Sequence, residues 1–328
     1  MSDPLLRWRS EFPILAGKTY LNSCSLGALS RRAEAYLDDF RARWHTMGAS
    51  AWYGPWLERI EDLRGRSARF LGADAEEMAL LPSTSAALSV VAESLDYCAR
   101  PRVVTTELDF PTVAYQWAVK PDVEVVVLRS DDGVTVPVER FAEAVDERTA
   151  ALATSHVFFT TGAVQDVAAL GRIARDAGAV SIIDGYQAAG QIPVDVHALG
   201  VDVYTAGPLK WLCGGPGLAY LYVRGALVHE LRPRITSWFA TEGQFDFDPE
   251  GFRSQIAAEV EFDPIAAGLS EHEVRRQDRY IQFATAAAIE AWADAGVEEH
   301  EIDRYRMGVT LGSAVGGTMV LENGYVAV

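Results

Sequence analysis

Six short apolar runs in the middle of the chain constrain its fold more than any other feature. They are Val103–Thr106, Val123–Leu128, Ala150–Thr154, Val180–Asp184, Val203–Ala206 and Leu218–Val223. Their length and their β-branched content predict buried strands. Helix-like stretches lie between several of them: Val138–Val145, Val167–Ala177 and Val194–Leu199. Strands that alternate with helices predict an α/β fold with a mainly parallel sheet. Ligands of such folds sit at the carboxyl ends of the strands. Two residues stand there: Asp184, which closes Val-Ser-Ile-Ile-Asp, and Lys210, just past Val-Tyr-Thr-Ala.

The flanks are helical in pattern. Residues 30–70 read as long amphipathic helix, 84–97 as a helix opened by Ser83-Thr84-Ser85, and 272–305 as Ala-rich helix. Gly312–Val328 reads as strand around an Asn323-Gly324 turn. The 328 residues, 49% of them hydrophobic, suit one large domain with a smaller one, or two moderate domains. A net charge of −17 lacks the basic face that phosphate neutralisation needs, so no nucleic-acid partner is expected. Three cysteines with no CxxC pair provide no disulfide framework, which suits a reducing compartment. The first residues lack a leader's apolar core, and no run of about 18 apolar residues marks a membrane span. A cytoplasmic location, no membrane and no metal are expected.

The chain has three lysines, and Lys18 and Lys120 lie in polar, turn-like surroundings. Lys210 lies in the apolar, glycine-rich Thr-Ala-Gly-Pro-Leu-Lys-Trp-Leu-Cys-Gly-Gly-Pro-Gly. A desolvated amine has a lowered pKa and attacks carbonyls to form Schiff bases. Lys210 as a turn-borne surface charge is the competing reading. Three further patterns precede it. Ser83-Thr84-Ser85 opens a helix, whose free N–H groups and dipole suit a phosphate, although an N-cap alone accounts for such hydroxyls. Phe110, in Glu107-Leu-Asp-Phe-Pro-Thr112, follows a strand, where it can stack on a flat ring or pack in the core. Asp184-Gly-Tyr-Gln187 puts a carboxylate at a buried strand end, which is costly unless paired. A protonated pyridine nitrogen would pair with it, as would a structural salt bridge or a helix terminus. A nicotinamide dehydrogenase would need Gly-x-Gly-x-x-Gly between a strand and a helix; Gly214-Gly-Pro-Gly217 instead leads into a strand.

In this order, these motifs resemble the class V aminotransferase family of pyridoxal-phosphate enzymes. Cysteine desulfurases, selenocysteine lyases, isopenicillin N epimerases and kynureninases belong to it. Tyr20-Leu-Asn22-Ser-Cys-Ser-Leu-Gly resembles its entry segment, Ser155-His-Val-Phe-Phe-Thr-Thr-Gly162 the turn before the Asp strand, and Phe110-Pro-Thr the kynureninases in particular. The resemblance covers roughly residues 12–240. It implies a type I pyridoxal-phosphate fold: a large domain with a mainly parallel, seven-stranded type of sheet between helices, and a reduced small α+β domain. The implied boundaries are an N-terminal segment over 1–20, the cofactor-binding domain over 21–240 and a shortened C-terminal domain over 241–328. Pyridoxal 5'-phosphate is the implied cofactor, with Lys210 forming its aldimine and moving protons, and Asp184 on the pyridine nitrogen. Gln187 would contact the ring hydroxyl, Phe110 would stack, Thr84 and Ser85 would seat the phosphate, and Thr112 would be a further cofactor-binding residue. Trp238 would reach a neighbouring subunit's cofactor in a homodimer. Asn22, Ser23 and Ser25 would face substrate, an amino acid or amine. The implied chemistry is lyase or hydrolase, with C–S or Cβ–Cγ cleavage, and transamination or racemisation is the alternative. A non-catalytic family member is the reading from another class.

The sequence departs from the family beside the lysine, where Leu209 stands for His or Tyr and Gly207 for Ser. No arginine of the C-terminal stretch matches the family's clamp on a substrate carboxylate; Arg275, Arg276, Arg279, Arg304 and Arg306 read as solvated helix faces. No cysteine follows Cys213, so a persulfide-forming nucleophile in the C-terminal part is not expected.

Overall fold

The computed structural model describes residues 4–235 and 262–296. The chain divides into two compact units, Met1–Gln244 and Phe245–Val328. The first is built on a seven-stranded sheet in the order β1-β7-β6-β5-β4-β2-β3. Its strands are β1 (Met78–Leu81), β2 (Arg102–Thr106), β3 (Glu124–Leu128), β4 (Thr149–Ser155), β5 (Val180–Asp184), β6 (Val203–Ala206) and β7 (Ala219–Val223). β3, β2, β4, β5 and β6 pair in parallel, while β7 runs antiparallel to both β6 and β1.

Ten α-helices are found among the described residues. They are α1 (Arg31–Met47), α2 (Pro55–Leu71), α3 (Thr84–Ser94), α4 (Pro111–Ala118), α5 (Val138–Ala144), α6 (Val167–Asp176), α7 (Val196–Leu199), α8 (Gly225–Glu230), α9 (Glu271–Arg276) and α10 (Arg279–Asp294). The central strands read as continuous apolar runs because both faces of the sheet are covered. Val103, Ile182 and Val203 pack with Leu88 and Val91 of α3 and Trp117 of α4. Their neighbours Val104 and Ile183 point to the opposite face, toward Phe141 and Leu170 in one cluster and Leu71 and Val196 in another. Burying each such large side chain contributes about 1.5–3 kcal/mol.

All six predicted strands form, within one or two residues of the expected bounds. β1 has no counterpart in the sequence reading, because Met-Ala-Leu-Leu has no β-branched residue, and antiparallel pairing with β7 makes it a strand. α4 was also missed: Pro111 at its first position sets the helical φ and lacks only an N–H that would have no helical partner. The predicted helix over 30–70 is split at Gly48 and Gly54 into α1, a 3-10 turn and α2. In the second unit, α9 and α10 occupy the predicted helical stretch, and Arg275 pairs with Glu271 at 2.7 Å on an exposed face. The expected Gly312–Val328 strands, Arg304, Arg306 and Trp238 lie outside the described residues. No helix among the described residues is long and apolar enough to cross a membrane.

Candidate active site

The segments that follow β1, β2, β5 and β6 meet at one end of the strands. After β6 the chain turns through Pro208–Trp211 and carries Lys210 back over the strand ends. Its Nζ lies 5.7 Å from the ring centre of Phe110 and 5.0 Å from that of Tyr186. Burial holds the amine below the usual lysine range, against the opposing influence of the Asp184 charge. Lys210 is half-buried in this setting. The turn is tight: Gly214 N donates to Pro208 O at 2.8 Å, and Cys213 sits at φ 54.

Asp184 ends β5 and is fully buried, and desolvation, reinforced by the nearby Asp109 charge, pushes its carboxyl up to about 6. Oδ1 accepts the Tyr186 N–H at 2.9 Å. No arginine salt bridge neutralises it, so among the described residues Lys210 is the cation that favours its charge. Gln187 joins the lysine turn to the entry segment: Oε1 accepts from Trp211 Nε1 at 2.8 Å, and Nε2 donates to Cys24 O at 3.0 Å. One of its amide hydrogens remains for another acceptor.

The hydroxyl cluster divides its work. Ser83 is the N-cap of α3, its Oγ accepting from Ala86 N at 3.1 Å. Thr84 Oγ1 is buried with no hydrogen-bond partner. Ser85 Oγ lies 3.3 Å from Thr112 Oγ1, which brings the N-termini of α3 and α4 together. Thr205, opposite Asp184 on β6, also has a buried, unpartnered Oγ1. An orphaned hydroxyl costs about 1–3 kcal/mol. Thr84 stands at the N-terminus of α3, beside that of α4, where free N–H groups and an orphaned hydroxyl would suit an anionic group, while Thr205 stands next to Asp184. The residues present therefore fit a phosphate-bearing pyridine aldehyde: hydroxyls and helix N–H groups at one end, a buried carboxylate, a desolvated amine and an aromatic face.

The entry segment packs directly on the lysine turn. Gly27 N donates to Leu209 O at 2.8 Å, and a Cβ at residue 27 would lie 2.1 Å from Lys210 O. Asn22 O accepts from Ser25 N at 3.0 Å and from Leu26 N at 3.1 Å, and Asn22 Oδ1 accepts from the Cys24 thiol at 3.5 Å. Asn22 and Ser25 are exposed and Ser23 half-buried.

Three residues of this site were not singled out in the sequence, although each stands inside a motif that was. Asp109 is buried and accepts from Thr105, Thr106 and Thr154 hydroxyls and from Thr106 and Ser155 N–H, so it clasps the ends of β2 and β4. Tyr186 covers the lysine amine. His156 lies 2.9 Å through Nδ1 from Tyr204 Oη, and burial pushes its imidazole down to about 4. Asp109 reaches Thr154 and Ser155 of β4, and His156 reaches Tyr204 of β6, contacts that one-dimensional spacing does not reveal.

The His156 value carries a pH prediction. The ring is neutral in the fold, so its contribution is complete above the unfolded value of about 6.5 and is lost as pH falls from there toward 4. Over that window the wild-type apo-protein should lose about 2–3 kcal/mol more than His156→Gln, measured by urea unfolding at a series of pH values. Taking the difference between the two proteins cancels the opposite contribution of Asp184.

A mainly parallel sheet covered by helices, with a half-buried lysine and a buried carboxylate at its strand ends, defines a fold-type I pyridoxal-phosphate architecture. Residues 27–253 match the model of the aminotransferase class-V family. The chain belongs to that family, and pyridoxal phosphate is the cofactor this membership assigns. An uncharacterized aminotransferase of Bacillus subtilis (YcbU) is 37% identical over 240 residues, 73% of this chain and 64% of that protein. A kynureninase of Pseudomonas fluorescens is 31% identical over 265 residues, 75% of this chain and 61% of its own. A cysteine desulfurase structure from Thermococcus onnurineus superposes with a TM-score of 0.64 at 22% identity, covering 72% of this chain and 61% of that one. The chain thus spans less than two thirds of the length of these relatives.

The remaining stretch has a different likeness. Residues 240–327 match the N-terminal domain of β-ketoacyl synthases. A putative polyketide β-ketoacyl synthase of Streptomyces cyaneus is 56% identical over 89 residues, 27% of this chain and 21% of that protein. The reduced small domain expected over 241–328 therefore falls on a segment whose similarity lies with another family. This accounts for the missing carboxylate-clamping arginine: the class V likeness stops at residue 253. The ketoacyl-synthase-like stretch contains no cysteine.

Proposed function

We propose that the class V portion is a pyridoxal-phosphate module that acts on an amino acid or a small amine through Lys210, with lyase or hydrolase chemistry. The observation that carries this is the desolvated Lys210 amine, flanked by Phe110 and Tyr186, beside a buried Asp184. Thr84, Ser85 and Thr112 would hold the phosphate, with the unpartnered Thr205 hydroxyl as a further donor. Phe110, 43% exposed, offers its face to the ring. Gln187 offers its remaining amide hydrogen to the ring hydroxyl, and Asp184 offers a carboxylate to the ring nitrogen. The cofactor supplies an electron sink for the pair left when a bond at the substrate's Cα breaks. Lys210 carries the proton to and from that carbon, because a lowered pKa leaves more of the amine unprotonated near neutrality. C–S or Cβ–Cγ cleavage is favoured over transamination and racemisation by the likeness to kynureninases and cysteine desulfurases.

Borohydride reduction followed by peptide mapping tests the assignment. The pyridoxyl group should be fixed on Lys210; its appearance on Lys18 or Lys120, or nowhere, refutes it. A second reading, a cofactor-binding module without turnover, is favoured by the end of the class V likeness at residue 253. A labelled Lys210 with no product from any amino acid or amine screened would select that reading.

A homodimer belongs to the same proposal. α1 exposes Tyr36, Leu37, Phe40 and Trp44 at 55%, 54%, 42% and 62%, a large apolar face that a second copy would cover. Light scattering should return twice the chain mass, and Trp44→Asp with Leu37→Asp should return one chain mass.

A further inference from the structure

Gly207 was a departure from the family in the sequence, and Tyr186 was not singled out at all. The fold makes them one feature. A Cβ at residue 207 would lie 2.4 Å from Tyr186 Cε2 and 3.1 Å from its Cζ. Real side chains do not pack that closely, so the Tyr186 ring occupies the space that any larger residue at 207 would need. The same ring lies 5.0 Å from Lys210 Nζ and is anchored through its backbone N–H, which donates to Asp184 Oδ1 at 2.9 Å. Gly207 is not at positive φ, so contact and not backbone conformation limits residue 207, with the Tyr186 ring the nearest obstacle and the Leu218 carbonyl, at 3.1 Å, the next.

We propose that Tyr186 is a second aromatic wall of the cofactor slot, complementing Phe110 beside the Lys210 amine, and that glycine at 207 exists to seat it. Residue 207 has no side chain, and a large aromatic one from the segment after the aspartate fills the space beside it. This arrangement gives the group that reacts with Lys210 aromatic surface in place of a hydroxyl contact from residue 207. Tyr186 is a positioning and binding residue in this arrangement; proton transfer stays with Lys210. The proposal rests on the reading of Lys210 as the cofactor-bearing lysine.

The test is a double-mutant cycle with two readouts, the dissociation constant of pyridoxal 5'-phosphate titrated into apo-protein and the Tm of the apo-protein. Tyr186→Phe keeps the ring and should bind within about twofold of wild type. Tyr186→Ala should weaken binding about tenfold, the size of a lost aromatic contact. Gly207→Ala displaces the ring and should weaken binding about tenfold too, with a lowered Tm. Tyr186→Ala/Gly207→Ala should be no worse than Tyr186→Ala alone, because the new methyl enters vacated space; the Leu218 carbonyl, 3.1 Å from that Cβ, leaves a small residual cost. Losses that multiply in the double variant, or a Tyr186→Ala protein with wild-type affinity, overturn the proposal, the latter even when Tm shows the two positions coupled. Wild-type protein that binds no cofactor would instead overturn the functional reading on which it rests. The Tm cycle then still reports whether Tyr186 and Gly207 pack as described.

Discussion

Lys210→Ala should lower turnover by about ten-thousand-fold and leave no borohydride-fixed cofactor on the protein. The expected loss is large because Lys210 has two roles in the proposed mechanism, as attachment point and as proton carrier. Nothing nearby substitutes for it. Lys120 pairs with Glu93 on the α3–α4 side, and Lys18 stands in the exposed N-terminal segment. Removal of the side chain takes a half-buried amine out of an apolar setting, so the apo-protein should keep its fold and its melting temperature within a few degrees. Absorbance of the purified variant in the visible range, mass spectrometry after reduction and a steady-state assay of the identified substrate check the three parts. A variant that still carries covalently fixed cofactor at wild-type yield would remove Lys210 from the mechanism.

Asp184→Asn should separate function from stability. Turnover is expected to fall about a thousandfold, because a neutral amide cannot hold the ring nitrogen in its protonated, electron-accepting form. Stability of the apo-protein should move the other way. The carboxyl is pushed up to about 6 in the fold, above its ordinary 3.8. Its charged form is therefore a cost to folding above pH 6, and the cost disappears as pH falls below about 4. Asparagine keeps the Oδ1 acceptor for the Tyr186 N–H and discards the charge, so the variant should gain about 2 kcal/mol at pH 7.5 and nothing near pH 4. Saturating cofactor should reverse the order, since a ring N–H would stabilise the carboxylate and not the amide. Urea unfolding with and without pyridoxal 5'-phosphate at both pH values measures all four quantities. An apo-variant less stable than wild type at pH 7.5 would show that Asp184 is compensated within the protein, leaving no reason for it to await a ligand.

Asp184 also shows why such a site can be found at all. A buried carboxylate with no arginine partner is costly, and so is a half-buried lysine amine. The orphaned hydroxyls of Thr84 and Thr205 add to this. Residues that lower the stability of an empty fold are most simply understood as held for a ligand.

The sequence determined six of the seven strands, because runs such as Val-Ser-Ile-Ile-Asp are apolar throughout and short, as strands covered on both faces are. It also determined the order of the chemical residues, since Thr84, Phe110, Asp184, Gln187 and Lys210 stand at strand ends or helix starts, where period and turn chemistry are legible. It was silent where contact, not pattern, decides. β1 is a strand because β7 lies beside it. Asp109 is a clasp because Thr106 and Ser155 come from two different strands. Gly207 read as a lost polar contact, and only the tertiary structure shows Tyr186 in the space above it. The physical reason is common to these cases. Periodicity records which face a side chain takes, whereas close packing depends on which distant segments share that face, and a single chain does not write those distances into its spacing.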